Sequence, residues 1–217
     1  MKSKARNLNS HSTNADKSRK LSPEKTQEIE LEINQPGPGE IKVIAAQLDS
    51  KVIRVLRIIK RCPAGFPELL LLKPFSPELI SPTIFWLSCP VLRERISRLE
   101  DRGLLEELTV RYQNQQDFAC RLVNAHQAYA GLRRNLLSPD AREQAAEISQ
   151  DLLDTLLNSG VGGIKDRGGL KCLHAHFAHY YSGYANPAGA EVAARLKRPF
   201  LCRYCKKFSR KLSAKEG

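Results

Sequence analysis

Strand-forming and helix-forming stretches are segregated along this chain, and that order restricts its fold more than any single motif. Three short runs between residues 52 and 88 carry β-branched, leucine or aromatic side chains. They are Val52-Ile53-Arg54-Val55-Leu56-Arg57-Ile58-Ile59, Glu68 to Lys73, and Thr83-Ile84-Phe85-Trp86-Leu87-Ser88. Turn chemistry separates them: Cys62-Pro63-Ala64-Gly65-Phe66-Pro67, then a loop from Pro74 to Pro82 with three prolines. From Pro90 onward the apolar spacing changes to that of helices. Leu92, Ile96 and Leu99 form one stripe, stopped by Gly103. Phe118, Leu122, Ala125, Tyr129, Leu132 and Leu136 form a second. A third helix opens at Ser138-Pro139, with Ala141, Ala145, Ile148 and Leu152 inward, and ends at Asn158-Ser159-Gly160. A fourth spans about Gly169 to Tyr181, and Asn186-Pro187 opens a fifth. Strands first and helices after them predict an α+β fold, a small three-stranded antiparallel meander packed against about five helices.

Composition sets the limits of this domain. Of 217 residues, 41% are hydrophobic, enough for one core. Residues 1–40 lack apolar periodicity and read as a disordered tail, 41–195 as the domain, and 196–217 as a basic tail. The net charge of +12 is uneven: residues 195–217 hold nine Lys/Arg against one Glu, a surplus of +8. Residues 197–217 are therefore expected to bind nucleic acid weakly and without sequence preference. The polar start has no secretory signal and no apolar run is long enough to span a membrane, so a cytoplasmic protein with reduced cysteines is expected.

Chemistry-bearing residues concentrate in Lys171-Cys172-Leu173-His174-Ala175-His176-Phe177-Ala178-His179. On a helix Cys172, His176 and His179 fall at i, i+4 and i+7 and share one face, with His174 on the other flank. One ion cannot take all three, since i to i+7 spans ~10 Å of rise. Cys62 and Cys89 end the first and third strands, and in a meander those ends lie on the same edge. Cys62, Cys89, Cys172 and His176 are thus the expected ligand set, a Cys₃His tetrahedron suited to zinc, with iron second. Cys202-Arg203-Tyr204-Cys205 is a separate CxxC without a second pair, and Cys120 reads as filler.

A second expectation comes from the preceding glycine run. Gly162, Gly163, Lys165, Arg167 and Lys171 bracket a helix N-terminus, where backbone N–H groups and cations cradle anions such as a phosphate-containing ligand. His174, His179 or His126 beside that loop would supply general acid–base catalysis on a phosphorylated small molecule without a metal. The loop is neither a Walker A motif nor a dinucleotide fingerprint. His126, flanking the stripe of the second helix, reads first as a hydrogen-bonded structural residue.

The order of these motifs resembles a known family. Arg61-Cys62-Pro63-x-Gly65-x-Pro67, Thr83-x₃-Leu87-x-Cys89-Pro90, Ser97-x-Leu99-Glu100-x₂-Gly103-Leu104, Ala125-His126-x₂-Tyr129, Gly160-x-Gly162-Gly163, the Lys171–His179 block and Asn186-Pro187-x-Gly189 are similar to the bacterial domain of unknown function 501, over roughly residues 45–195. The resemblance implies domain boundaries and a cytoplasmic bacterial origin. It implies no reaction, so the choice between enzyme and binding module stays open.

Overall fold

The computed structural model describes residues 35–50, 54–76, 79–165, 168–196 and 204–206. Helix α1 (Pro38–Leu48) comes first and is followed by strands β1 (Val55–Arg61) and β2 (Pro67–Leu72). A two-residue pair, β3 (Phe75–Ser76) and β4 (Leu79–Ile80), precedes β5 (Phe85–Leu87). Seven helices follow: α2 (Pro90–Glu100), α3 (Leu104–Asn114), α4 (Gln116–Leu136), α5 (Pro139–Ile148), α6 (Gln150–Asn158), α7 (Leu173–Tyr181) and α8 (Pro187–Leu196). The α+β class holds, and the sheet is the expected meander in the order β1-β2-β5, antiparallel throughout. Among the described residues no helix is long and apolar enough to cross a membrane.

The unbroken apolar run of β2 reflects burial on both faces. Leu69 and Leu71 join the main core with α2, α3, α4, α7 and α8, while Leu70 and Leu72 pack with Ile58 of β1 and Ile44 of α1. α5 and α6 bury Ala145 and Leu156 against Phe75 and Leu137 in a smaller cluster. The turn after β1 closes with the Gly65 N–H donating to Cys62 O at 2.8 Å, and Gly65 there takes φ +83°, which a side chain would oppose.

Among the described residues eight helices stand where about five were expected, for three reasons. The proline-glycine segment at 36–39 starts a helix instead of ending a tail: Pro38 occupies its first turn, and Glu40 reaches back to the Gly37 N–H at 3.1 Å. Gly103, at φ +82°, ends α2 and also opens α3. Ser149, at φ −169° and ψ 136°, breaks the third expected helix into α5 and α6. That break turns Ile148 outward, 55% exposed, where the sequence pattern placed it inside.

Candidate functional site

The start of α7 decides which side chains meet. Cys172 is its N-cap, with an extended backbone at φ −156° and ψ 122°, so it lies off the helical lattice that would have aligned it with His176. Its sulfur faces His174, 3.7 Å from Nδ1. The same Nδ1 lies 3.4 Å from Glu100 Oε2, at the last turn of α2. One donor atom each from Glu100, Cys172 and His174 falls within 4.8 Å of the other two, and all three residues are half-buried. They are held from outside. The Leu173 N–H donates to Glu100 Oε1 at 2.6 Å, and His174 Nε2–H donates to the Arg93 carbonyl at 3.0 Å. That second bond puts the neutral imidazole's proton on Nε2 and its lone pair on Nδ1, toward Cys172 and Glu100.

The electrostatics follow from this packing. Burial pushes the Cys172 thiol up, but the His174 imidazole and the dipole of the Ala175 N–H outweigh it and hold the thiol below its ordinary value. Burial likewise pushes His174 down, yet Cys172, the Arg93 carbonyl and Glu100 together raise it.

Cys172 and His174 open on a cavity of about 1000 Å³ between the free edge of β5, the C-terminal end of α1, and α2. Trp86, Arg93, Lys171 and Tyr204 also line it.

The four expected metal ligands are divided. Cys172 lies at one end of α2, beside Glu100, whereas Cys89 is the N-cap at the other end, eleven residues or ~16 Å of helix away. Cys89 is buried, and its thiol is pushed up to about 11, chiefly by that burial. Cys62 remains at the β1–β2 turn. Cys205 is buried near the start of β2, where the Gln47 amide donates to its sulfur at 3.1 Å and to Pro67 O at 3.0 Å. Cys202 lies outside the described residues, and Cys120 is exposed on α4.

His176 turns from the cavity into the core. With His126, His179 and Asn186 it forms a buried polar cluster: the His126 and His176 rings are 5.5 Å apart, and Asn186 bridges His176 Nδ1 at 3.2 Å and His179 Nδ1 at 3.3 Å. His179 also packs edge-on to Tyr129 and stacks on Tyr184. Burial foremost, then the electrostatic influence of the neighbouring His126 imidazole, lowers His176 to about 3 and His179 to about 4, so both are neutral at pH 7. His126, expected first as a hydrogen-bonded residue, has both ring nitrogens engaged. Its Nδ1 accepts from the Val161 N–H at 3.0 Å and its Nε2 donates to Gly169 O at 3.1 Å, which ties together both ends of the glycine loop.

That loop spends several of its own donors internally. The Gly160 N–H goes to Ile164 O at 2.7 Å and the Gly163 N–H to Gly160 O at 3.1 Å. Gly162 and Lys171 line the cavity, Lys165 is exposed, and Arg167 lies outside the described residues.

Four residues of the site were not singled out from sequence: Glu100, Arg93, Trp86 and Tyr204. Glu100 carried one signal, since it lies within the Ser97-x-Leu99-Glu100-x₂-Gly103-Leu104 motif, directly after the apolar stripe of α2.

Fold and site together define an α+β domain with a Cys/His/Glu cluster at the mouth of a cavity. The chain belongs to the family described as protein of unknown function DUF501, whose model matches residues 58–194. No curated protein and no solved structure matches it.

Proposed function

We propose that this domain binds a metal ion, zinc in the first place, through Glu100, Cys172 and His174. One observation carries the reading: two different donors converge on one imidazole nitrogen. A single proton on Nδ1 cannot point at both Cys172 and Glu100, and a catalytic relay would set the carboxylate on the far nitrogen, which instead bonds the Arg93 carbonyl. The separations of 3.7 and 3.4 Å fit the edges of a zinc tetrahedron, about 3.4–3.6 Å for bonds of about 2.0–2.3 Å. The carbonyl on Nε2 and the N–H on Glu100 Oε1 are the outer partners that ligands of this type commonly have. Thiolate, imidazole and carboxylate form a borderline donor set, which favours zinc and leaves iron second. Three protein ligands beside a cavity leave a coordination position for water or substrate, the arrangement of catalytic rather than structural zinc.

Metal content of protein purified without chelator under reducing conditions tests this. Stoichiometric zinc is expected, lost in Cys172→Ser, His174→Gln and Glu100→Gln and kept in Cys62→Ser, Cys89→Ser and His176→Gln. Loss in the second set would restore the ligand set expected from sequence, and absence of metal throughout would end the proposal. The bound ion should also protect Cys172 from alkylation.

A metal-free phosphate site in the glycine loop has less support, because the loop N–H groups named above bond within the protein. Nucleic-acid binding by residues 197–217 falls almost wholly outside the described residues.

A further inference from the structure

Beside the Cys/His/Glu cluster, the cavity wall carries two exposed aromatic side chains. Trp86, the only tryptophan in the chain, lines it with 39% of its surface exposed, and Tyr204 lines it at 42%. Large aromatic rings left open on a cavity wall are surfaces on which planar ligands stack, each contact contributing roughly 1–3 kcal/mol.

The strand that carries Trp86 adds a polar edge. Among the described residues β5 is paired only on its β2 side, where the Leu72 N–H donates to Ile84 O at 2.8 Å and the Ser88 N–H to Glu68 O at 3.0 Å. The Ile84 carbonyl, Trp86 and the Ser88 N–H therefore face β2, whereas the Ile84 N–H turns away to the Tyr129 hydroxyl at 2.7 Å. By the same alternation Phe85 and Leu87 direct theirs to the opposite edge, which forms part of the cavity wall. The Phe85 N–H has the Tyr129 hydroxyl at 3.5 Å. Leu87 offers an N–H and a C=O beside the Trp86 ring, a donor–acceptor pair suited to the edge of a heteroaromatic base.

The remaining wall favours a negative charge. The Lys171 ammonium is exposed and lines the cavity. Arg93 lines it too, with one guanidinium nitrogen on Gln47 O at 3.3 Å and further N–H groups beyond that bond. Glu94 is engaged by Arg98 at 2.6 Å, which offsets its charge. Asp49, at the α1 end, is the carboxylate that sets a limit on how anionic the ligand is. A metal at Cys172 and His174 would present its open position to the same space. The anionic half of the argument thus rests partly on the metal reading, whereas the ring half is independent of it.

We propose that this cavity binds a planar heteroaromatic ligand carrying one anionic group, a compound of the nucleoside monophosphate class. A volume of about 1000 Å³ accommodates a molecule of that size with room for water.

Because Trp86 is the only tryptophan, its fluorescence reports entry into the cavity directly. Full-length protein, metal-free and zinc-loaded, is titrated with AMP, GMP, CMP, UMP and phenyl phosphate, with adenosine as a ring lacking the anion and ribose 5-phosphate as an anion lacking the ring. At least one of the five is expected to change the emission saturably and to bind about tenfold more tightly than either control. By calorimetry, Trp86→Leu should weaken the monophosphate and adenosine about tenfold and leave ribose 5-phosphate unaffected. Lys171→Gln should weaken the monophosphate and spare adenosine. Both side chains are exposed, so both variants should fold. The proposal is overturned if none of the five probes binds, if ribose 5-phosphate binds as tightly as they do, or if Trp86→Leu changes nothing. Ring-selective binding by a chain that takes up no metal would refute the metal reading alone. Zinc binding without any response to the five probes would refute this one alone.

Discussion

Gly189 shows how closely α7 and α8 approach. A Cβ placed there would fall well inside van der Waals contact with the His176 carbonyl and with Tyr180 Cβ. Its own N–H donates to Asn186 Oδ1 at 2.9 Å, so Asn186 caps α8 and braces the histidines with one side chain. Alanine normally gains about 1 kcal/mol over glycine in a helix. Here the obstacle is backbone of the neighbouring helix, which cannot rotate aside, and overpacking of this kind costs roughly 1–3 kcal/mol or more. Gly189→Ala is therefore expected to destabilise the domain by about 2 kcal/mol in urea unfolding, and a stabilised variant would show that the helices separate freely. Cys172 teaches a related lesson at the same scale. Cys172 and His174 stood out in the sequence, but the partner of Cys172 did not, because one extended N-cap residue removes it from the i, i+4 lattice.

The elements were legible where periodicity is strong and obscure where glycine, proline or serine interrupts it. All three strands of the sheet and the long α4 follow their apolar patterns, while the boundaries at Gly103 and Ser149 depend on backbone angles that composition does not reveal. Glu100 was hidden for a different reason: a carboxylate at the end of a surface helix reads as solubilising until another element is known to lie against it. Between elements, Arg133 of α4 does what no nearby motif announced. Fully buried, it donates to Leu156 O at 2.5 Å, Thr155 O at 3.3 Å, Pro82 O at 3.0 Å and Ser159 O, capping the C-terminal end of α6. Burial lowers its pKa to about 10, which still leaves it charged at neutral pH. Arg133→Met relieves a buried cation but strands several carbonyls, at about 1–3 kcal/mol for each one left without a partner. A net loss of about 2–3 kcal/mol is expected, and Arg133→Lys should recover less than half, since one ammonium cannot fork across these acceptors. Unchanged stability of the methionine variant would mean that other groups serve them.

For the whole molecule, the buried histidines couple stability to pH. His179 faces His126, Tyr129, Tyr184 and Phe85, and its pKa is lowered to about 4 by burial first and by His126 second. In the unfolded chain it titrates near 6.5. The unfolded state therefore holds more protons between pH 6.5 and 4, and stability falls as pH falls through that window. At higher pH the imidazole is neutral in both states and the penalty vanishes. His179 alone should cost about 2 kcal/mol between pH 7 and pH 5. Urea unfolding at the two pH values measures it, and His179→Gln should remove about half of the difference, because His176, lowered to about 3, contributes a similar share; an undiminished loss in that variant would place the titration elsewhere.

The bonds around Glu100 and His174 have a consequence for the order of events. The Leu173 N–H and the Arg93 carbonyl are backbone groups of the packed helices α7 and α2, and they orient both side chains. In small zinc domains the ligands find one another only when metal arrives, so removing the ion unfolds the chain. On the proposed reading the fold itself would set the ligand geometry, and an ion arriving at Glu100, Cys172 and His174 would meet a finished socket. Metal could then come and go on a folded protein, leaving occupancy to follow the surrounding metal supply and not the protein's own life cycle of synthesis and decay.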